Sequence, residues 1–160
     1  MRNLLRLLVL ASLATALSTA TAFERATPAE DRVDVDVSVL PPLPQGTYES
    51  NPYRGNAEVA AIGRTVFNQT CARCHGVDAV SKNLPGPDLT RLDRACARIT
   101  DPTIKDMCIA DNDAYFLDSA LNGKVRVGVT HMPSWKDVLS LKHLWAVRTF
   151  LEQRRSAGKE

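Results

Sequence analysis

The chain has 160 residues, of which 44% are hydrophobic but only 6% are aromatic, and its formal net charge at pH 7 is +2. This length suffices for one domain with one core, and so few aromatic side chains indicate that the core needs another large apolar group. The small net charge argues against a nucleic-acid-binding protein, which needs a basic face.

The first 22 residues are expected to be a cleaved signal peptide. Arg2 and Arg6 make its start positive, residues 7–17 form a short apolar segment, and residues 20–22 (Ala-Thr-Ala) give the small-x-small pattern of a cleavage site. The apolar run is shorter than the roughly 18 residues that a membrane span needs, although an uncleaved anchor is the alternative. We expect an exported, periplasmic protein that begins at Phe23 and has no net charge.

Residues 23–55 are expected to form an extended N-terminal arm. Val33, Val35 and Val37 alternate with polar residues, a period of two that is typical of extended chain. The prolines that follow disfavour a helix and favour polyproline geometry. The pattern fits an arm that wraps the domain and also fits a disordered segment.

Residues 56–160 are expected to form an all-α domain whose first helix covers residues 57–70. Asn56 is a suitable N-cap, and apolar residues recur at helical spacing on one face. Gly63 interrupts this face at a cost of about 1 kcal/mol relative to alanine, which is explained if another helix crosses closely there.

Two further helices are predicted, over residues 113–121 and 141–155. Asn122 and Gly123 are typical of a helix end, and Ser140 is a suitable N-cap for the last helix. The segments between the helices are expected to be loops or short turns: residues 76–92, 93–110 and 124–137.

The chemistry of the chain is indicated by Cys71, Cys74 and His75, which form a CxxCH motif, the attachment signature of haem c. Two thiols at this spacing reach the two vinyl groups on one porphyrin edge, and the histidine then lies beneath the iron. The alternatives are a thioredoxin-like redox pair, which follows a strand, and half of a zinc site, which needs a second ligand pair. Here a helix precedes the motif, and Cys96 and Cys108 are not spaced as such a pair. The sequence therefore predicts one covalent haem c and electron transfer.

The second axial ligand of the haem iron must come from far downstream. Met132 is the first choice because Pro133 stiffens its loop and lets the thioether point inward. Met107 is the main competitor, and His131 or His143 would give bis-histidine ligation. A thioether ligand raises the reduction potential relative to imidazole.

Three further residues are expected in the haem pocket. The carbonyl of Pro87 could accept a hydrogen bond from Nδ1 of His75, and Leu89 could pack against the ring. Trp135 could cover the haem edge or bind a propionate. A simple Gly-Pro turn and an ordinary core tryptophan are the alternatives.

Two cysteines remain outside the motif. Cys96 and Cys108 are expected to form a structural disulfide, because the protein is exported. Asp111 and Asp113 could suggest a calcium site, but capping of the helix that follows explains them more simply.

Over residues 57–153 the chain resembles the class I cytochromes c. The resemblance rests on the first helix with Gly63 and Phe67, the CxxCH motif, the Gly-Pro-x-Leu loop, the Met-Pro dipeptide and the closing aromatic helix. In that family the first and last helices cross near the position of Gly63.

A narrower resemblance is to the small periplasmic cytochromes of bacterial quinoprotein alcohol oxidation. It rests on residues 51–56 (NPYRGN), 67–69 (FNQ) and 71–76 (CARCHG), with the arm at 40–43 (LPPL) and the spaced Cys96/Cys108 pair. The resemblance implies an electron donor that is a PQQ-dependent alcohol dehydrogenase and a terminal oxidase as the eventual acceptor. Residues 51–56 could be a docking element or a structural clasp.

Two classes of function follow from these observations. A monomeric electron carrier should have a six-coordinate haem and transient partners, whereas a haem enzyme or gas sensor should have a labile sixth site. The Met-Pro dipeptide favours the carrier, and a generic periplasmic carrier for another respiratory donor is the closest alternative. Arg73, Lys82, Lys124 and Arg126 are the candidate cations of a docking surface.

Overall fold

The computed structural model describes residues 33–45 and 49–157. The expected signal peptide and the start of the arm lie outside these residues. Within the described ranges, no helix has both the length and the apolar character needed to cross a membrane. The elements are α1 (Ala57–Thr70), α2 (Ala72–His75), short 3-10 helices at Val77–Ala79, Leu89–Arg91 and Cys96–Arg98, α3 (Pro102–Asn122), β1 (Lys124–Arg126), β2 (Val129–Met132) and α4 (Leu141–Ala157).

The core forms where α1 crosses α4. Asn56 caps α1, because its side-chain oxygen accepts hydrogen bonds from the backbone N–H groups of Glu58 and Val59 at 3.0 and 3.1 Å. A Cβ at Gly63 would lie 1.9 Å from the carbonyl oxygen of Ala146 in α4, so only glycine permits this approach. The close crossing inferred from the glycine is therefore present.

Helix α3 begins eleven residues before the predicted start at residue 113. Proline in the first turn loses no helical hydrogen bond, so Pro102 starts this helix inside the segment 93–110, where loops or short turns are expected from the sequence. Asp101 caps it by accepting a hydrogen bond from the N–H of Ile104 at 3.0 Å. Asp111 and Asp113 consequently lie inside the helix and do not cap it. The described residues contain no cluster of His, Cys, Asp or Glu that could hold a metal ion.

The predicted loop at 124–137 contains a β-hairpin, so the fold is helix-dominated but not entirely helical. Strands β1 and β2 are antiparallel, and Arg126 pairs with Val129. Val127 and Gly128 make the turn with φ angles of 50° and 74°, the double positive φ of a type I′ turn. Glycine accepts a positive φ, whereas valine at position 127 costs about 1–3 kcal/mol in this conformation.

The described part of the N-terminal arm lies against α4. Between residues 33 and 38 half-buried and exposed side chains alternate, as the period-two pattern implies, although no strand forms. The ammonium of Lys142 donates to the carbonyl of Leu40 at 2.8 Å, and Nε2 of His143 lies 3.1 Å from the carbonyl oxygen of Val35. The hydroxyl of Tyr53 donates to the carbonyl of Pro41 at 2.6 Å.

A buried ionic cluster ties α3, α4 and the segment before α3 together. The guanidinium of Arg148, fully buried in α4, donates two hydrogen bonds to Asp93 at 2.8 and 2.9 Å and one to Asp113 at 2.7 Å. Both carboxylates are also buried. Three buried charges are tolerated because each is paired through direct hydrogen bonds.

Residues 51–56 join the same cluster from the outside. Arg54 pairs with Asp113 and with Glu152, the latter at 2.5 Å. The backbone N–H of Asn51 donates to Asp113 at 2.8 Å, and its side-chain amide donates to Thr149 at 3.0 Å. Of the two roles open for this segment, these contacts fit the structural clasp. Burial raises the pKa of Glu152, although Arg148 and Arg54 oppose the increase.

Candidate haem site

A cavity of about 380 Å³ lies between α1, α2, the loop around Gly86, α3, the hairpin and α4. All seven residues predicted for the site contribute to its lining: Cys71, Cys74, His75, Pro87, Leu89, Met132 and Trp135. Residues far apart in the sequence are thus brought to one cavity.

The end of α1 positions the CxxCH motif. Cys71 closes α1, and the following turn α2 is held by hydrogen bonds to the Cys71 carbonyl from the N–H groups of Cys74 and His75, at 3.1 and 2.9 Å. Neither Cys71 nor Cys74 takes part in a disulfide, so both sulfur atoms are available for thioether links. Desolvation of the thiolate, together with the neighbouring Cys74, raises the pKa of Cys71 to about 11. The motif follows helix α1 and not a strand, which opposes the thioredoxin-like alternative.

The imidazole of His75 is held in one orientation at the cavity wall. His75 is 8% exposed, and its Nδ1 lies 2.9 Å from the carbonyl oxygen of Pro87. A carbonyl can only accept, so Nδ1 carries the proton and Nε2 keeps its lone pair for a metal. The N–H of Gly86 donates to the carbonyl of Cys74 at 2.9 Å, which binds the loop to the motif.

Met132 ends β2, and the segment after it is fixed to the end of α3. The N–H of Trp135 donates to the carbonyl of Ala120 at 2.9 Å, and the Ser134 hydroxyl donates to that of Leu121 at 2.5 Å. A Cβ at Gly123 would lie 2.5 Å from the carbonyl oxygen of Met132. Close backbone packing therefore determines where Met132 meets the cavity.

The other candidates for the second axial position differ in location. Met107 is 64% exposed on α3, and it does not belong to the cavity lining. His143 is engaged by Ser140 and by the carbonyl of Val35. His131 borders the cavity but is exposed, whereas Met132 is half-buried there.

The cavity suits a flat, apolar macrocycle with two thioether links. Its walls are mainly aliphatic and aromatic, and they combine the sulfur atoms of Cys71 and Cys74 with an imidazole whose Nε2 lone pair is available. Bound haem supplies one-electron chemistry at its iron. The carbonyl of Pro87 orients the imidazole of His75, and the apolar walls exclude water from the cavity. These wall residues include Phe67, Leu89, Leu92, Phe116, Leu144 and Val147.

A CxxCH turn between a crossing helix and an apolar cavity, with a Met-Pro segment also bordering that cavity, defines the class I c-type cytochromes. A family model described as cytochrome c oxidase, cbb3-type, subunit III matches residues 58–151. The chain is 37% identical over 155 residues to cytochrome c550 of Pseudomonas aeruginosa, covering 94% of this chain and 93% of that protein. No solved structure is a significant match.

The chain therefore belongs to the class I c-type cytochromes. It is an electron-transfer protein with covalently bound haem c, and it is not an enzyme.

Sequence reasoning missed two features near the site. The first is the hairpin: the sequence analysis predicts a loop there, although Val125, Val127 and Val129 alternate with other residues around the turn-forming Gly128. The second is the buried ionic cluster of Arg148, Asp93 and Asp113, which the sequence analysis does not predict. A local sign of it is that Arg148 lies between Leu144 and Leu151 on the apolar side of the helix, with Glu152 one turn further on.

Proposed function

We propose that the protein is a periplasmic one-electron carrier with a single haem c, attached through Cys71 and Cys74 and ligated axially by His75 and Met132. The observation that carries this proposal is that these four residues line one apolar cavity and that His75 is oriented by a backbone carbonyl. Met132 is preferred because it is half-buried at this cavity.

The remaining pocket residues have supporting roles in this proposal. Pro87 fixes the His75 tautomer through its carbonyl, Leu89 packs against the imidazole, and Trp135 covers the haem. Residues 1–22 are the cleaved signal, residues 23–55 the arm and residues 56–160 the haem-binding domain. Mass spectrometry of the exported protein should show one covalent haem and a chain that starts at Phe23. A colourless product that contains zinc would refute the proposal.

We further propose that a PQQ-dependent alcohol dehydrogenase is the electron donor and that the electron passes on towards a terminal oxidase. Support comes from the resemblance of residues 51–56, 67–69 and 71–76 to the cytochromes of quinoprotein alcohol oxidation. A generic periplasmic carrier for another respiratory donor is the second candidate, because it needs the same haem site.

Positive charge at the cavity supports direct docking. Arg73, Lys124 and Arg126 line the cavity, whereas Lys82 is exposed outside it. Among the residues that the structure describes, no Asp or Glu contributes to the lining. Interfaces of electron carriers are small and transient. Attraction of an acidic donor should weaken as salt shortens the screening length to about 10 Å at 0.1 M.

Stopped-flow reduction by a PQQ-dependent alcohol dehydrogenase from the same organism tests the donor. Fast reduction that slows with added salt is expected. Slow reduction at every salt concentration, together with fast reduction by a membrane quinol-oxidising complex, would favour the generic carrier.

A further inference from the structure

The tip of the β1–β2 hairpin is apolar and fully open to solvent. Val127 is 102% exposed, and Val125 and Val129 on either side are 63% and 58% exposed. These three exposed valines surround the turn, and we call them the valine tip: Val129 lies on the hairpin face that carries its pairing partner Arg126, and Val125 lies on the opposite face. Isolated exposed valines are ordinary, but such a cluster on a projecting element points to an interaction site.

Folding does not explain the residue at the end of this tip. Val127 has a φ of 50°, a conformation that Asn and Gly accept and that a β-branched side chain resists. Asn at this position would suit both the turn and the solvent better than valine. Valine is therefore unfavourable for the free protein on two independent counts, and a contact made only in a complex would account for it.

The hairpin connects the valine tip directly to the candidate haem site. Met132 is five residues from Val127, a distance of at most about 17 Å along an extended strand. At the base of the hairpin, Lys124 pairs with Met132 and its ammonium lies 4.6 Å from the ring centre of Tyr115. A partner bound at the tip is consequently held close to the cavity.

Charge around the tip indicates the chemistry of the partner. Arg126 is exposed beside the tip, and Lys124 and Arg73 share the cavity lining with it. Lys124 is partly offset by Asp118, 3.6 Å away. A projecting apolar tip next to basic residues is complementary to a hollow with an apolar floor and a carboxylate rim.

We propose that the valine tip inserts into such a hollow on the electron-donor protein, beside the exposed edge of the donor's redox centre. This inference rests on the proposed function as an electron carrier and adds to it the contact that fixes the donor's position. The apolar contact lengthens the life of the complex, and the neighbouring cations accelerate encounter.

The test uses the holoprotein with Val127→Asn, which removes the apolar contact and relieves the turn. Thermal stability should be equal or higher, and the visible spectrum and reduction potential should be unchanged. The second-order rate constant for reduction by the dehydrogenase should fall several-fold, because the complex dissociates faster before the electron is transferred. Hydroquinone, a neutral small reductant, should reduce both proteins equally fast.

Val39→Asn is the matched control, because Val39 is 71% exposed and lies in the arm. It should leave the rate unchanged. Arg126→Gln should slow reduction at low salt, and this difference should disappear at high salt.

An unchanged rate for Val127→Asn with a fast wild type would overturn the inference. A shift in reduction potential would also overturn it, because the tip would then act on the haem site. Slow reduction of the wild type contradicts only the donor identity. The same variants are then compared with a membrane quinol-oxidising complex, where a slower Val127→Asn supports the tip and an equal rate refutes it.

Discussion

The carbonyl oxygen of Pro87 accepts a hydrogen bond from Nδ1 of His75 at 2.9 Å, across twelve residues of sequence. The orientation of the imidazole is therefore fixed by a backbone carbonyl, which a substitution of the Pro87 side chain would not remove. Gly86 makes this approach possible, since a Cβ there would lie 2.7 Å from Nδ1 of His75 and 2.8 Å from the carbonyl oxygen of Cys74.

Gly86→Ala should therefore displace either the imidazole or the loop. Overpacking of this kind costs about 1–3 kcal/mol in the free energy of unfolding, and the reduction potential should shift because the ligand is reoriented. Chemical denaturation and redox titration measure the two effects. Leu84→Ala, at an exposed position in the same loop and outside the cavity lining, is the control and should change neither. A Gly86→Ala variant that matched the wild type in both measurements would contradict this account.

Arg148→Met tests the buried ionic cluster. Removing the guanidinium leaves Asp93 and Asp113 buried without their main partner, which costs about 3–5 kcal/mol. Urea denaturation at pH 7 gives the value. Arg64→Met is the control, because the exposed pair of Arg64 with Asp78 should contribute at most about 1 kcal/mol. Similar losses for the two variants would mean that the buried cluster is not a major source of stability.

Local patterns explain what the sequence could predict. The cap at Asn56 and the CxxCH turn each depend on neighbouring residues, so predicting them needs no knowledge of the remaining fold. The crossing at Gly63 involves the distant Ala146, but a glycine inside an apolar helix face is a local sign of it. The hydrogen bond from His75 to Pro87 was also expected, since a Gly-Pro loop follows the motif closely.

The features that were missed depend on distant partners or on ambiguous local signals. Arg148 is 55 residues from Asp93 and 35 from Asp113, and no periodic pattern pairs them. Pro102 can end one helix or start another, and only the cap at Asp101 decides between these roles. Valine is unfavourable at the positive φ of residue 127, so the turn propensity of the sequence does not predict the hairpin that forms.

Asp78→Asn tests an exposed charge interaction through its pH dependence. Hydrogen bonds from Arg64 and Asn68 lower the pKa of Asp78 to about 2 from 3.8. The folded-state pKa is depressed, so this stabilisation is complete above about pH 4 and is lost as the pH falls through about 2. Asn tolerates the positive φ of Asp78, which keeps the backbone comparable.

The stability difference between wild type and Asp78→Asn should therefore be largest near neutral pH and close to zero at pH 2. Denaturant titrations across this range would show it. A difference that stayed constant with pH would mean that the carboxylate charge is not responsible.

The Cys96–Cys108 disulfide is present with a Cα–Cα distance of 5.6 Å. Replacing both cysteines by serine should lower the free energy of unfolding by about 2–4 kcal/mol, because the unfolded chain gains freedom. The visible spectrum should hardly change, since neither cysteine lines the cavity. Thiol titration of the exported wild type should find no free thiol, and two reactive thiols there would refute the bond in the native protein.

The most direct test of the central claim, a closed six-coordinate haem in an electron carrier, is the visible spectrum of the reduced protein with and without carbon monoxide. The wild type and Met107→Ala should keep the same spectrum when carbon monoxide is added. Met132→Ala should bind it and should have a lower reduction potential, because the soft thioether that favours ferrous iron is gone. Rapid carbon monoxide binding by the wild type would contradict the account. So would carbon monoxide binding by Met107→Ala together with an unchanged spectrum of Met132→Ala.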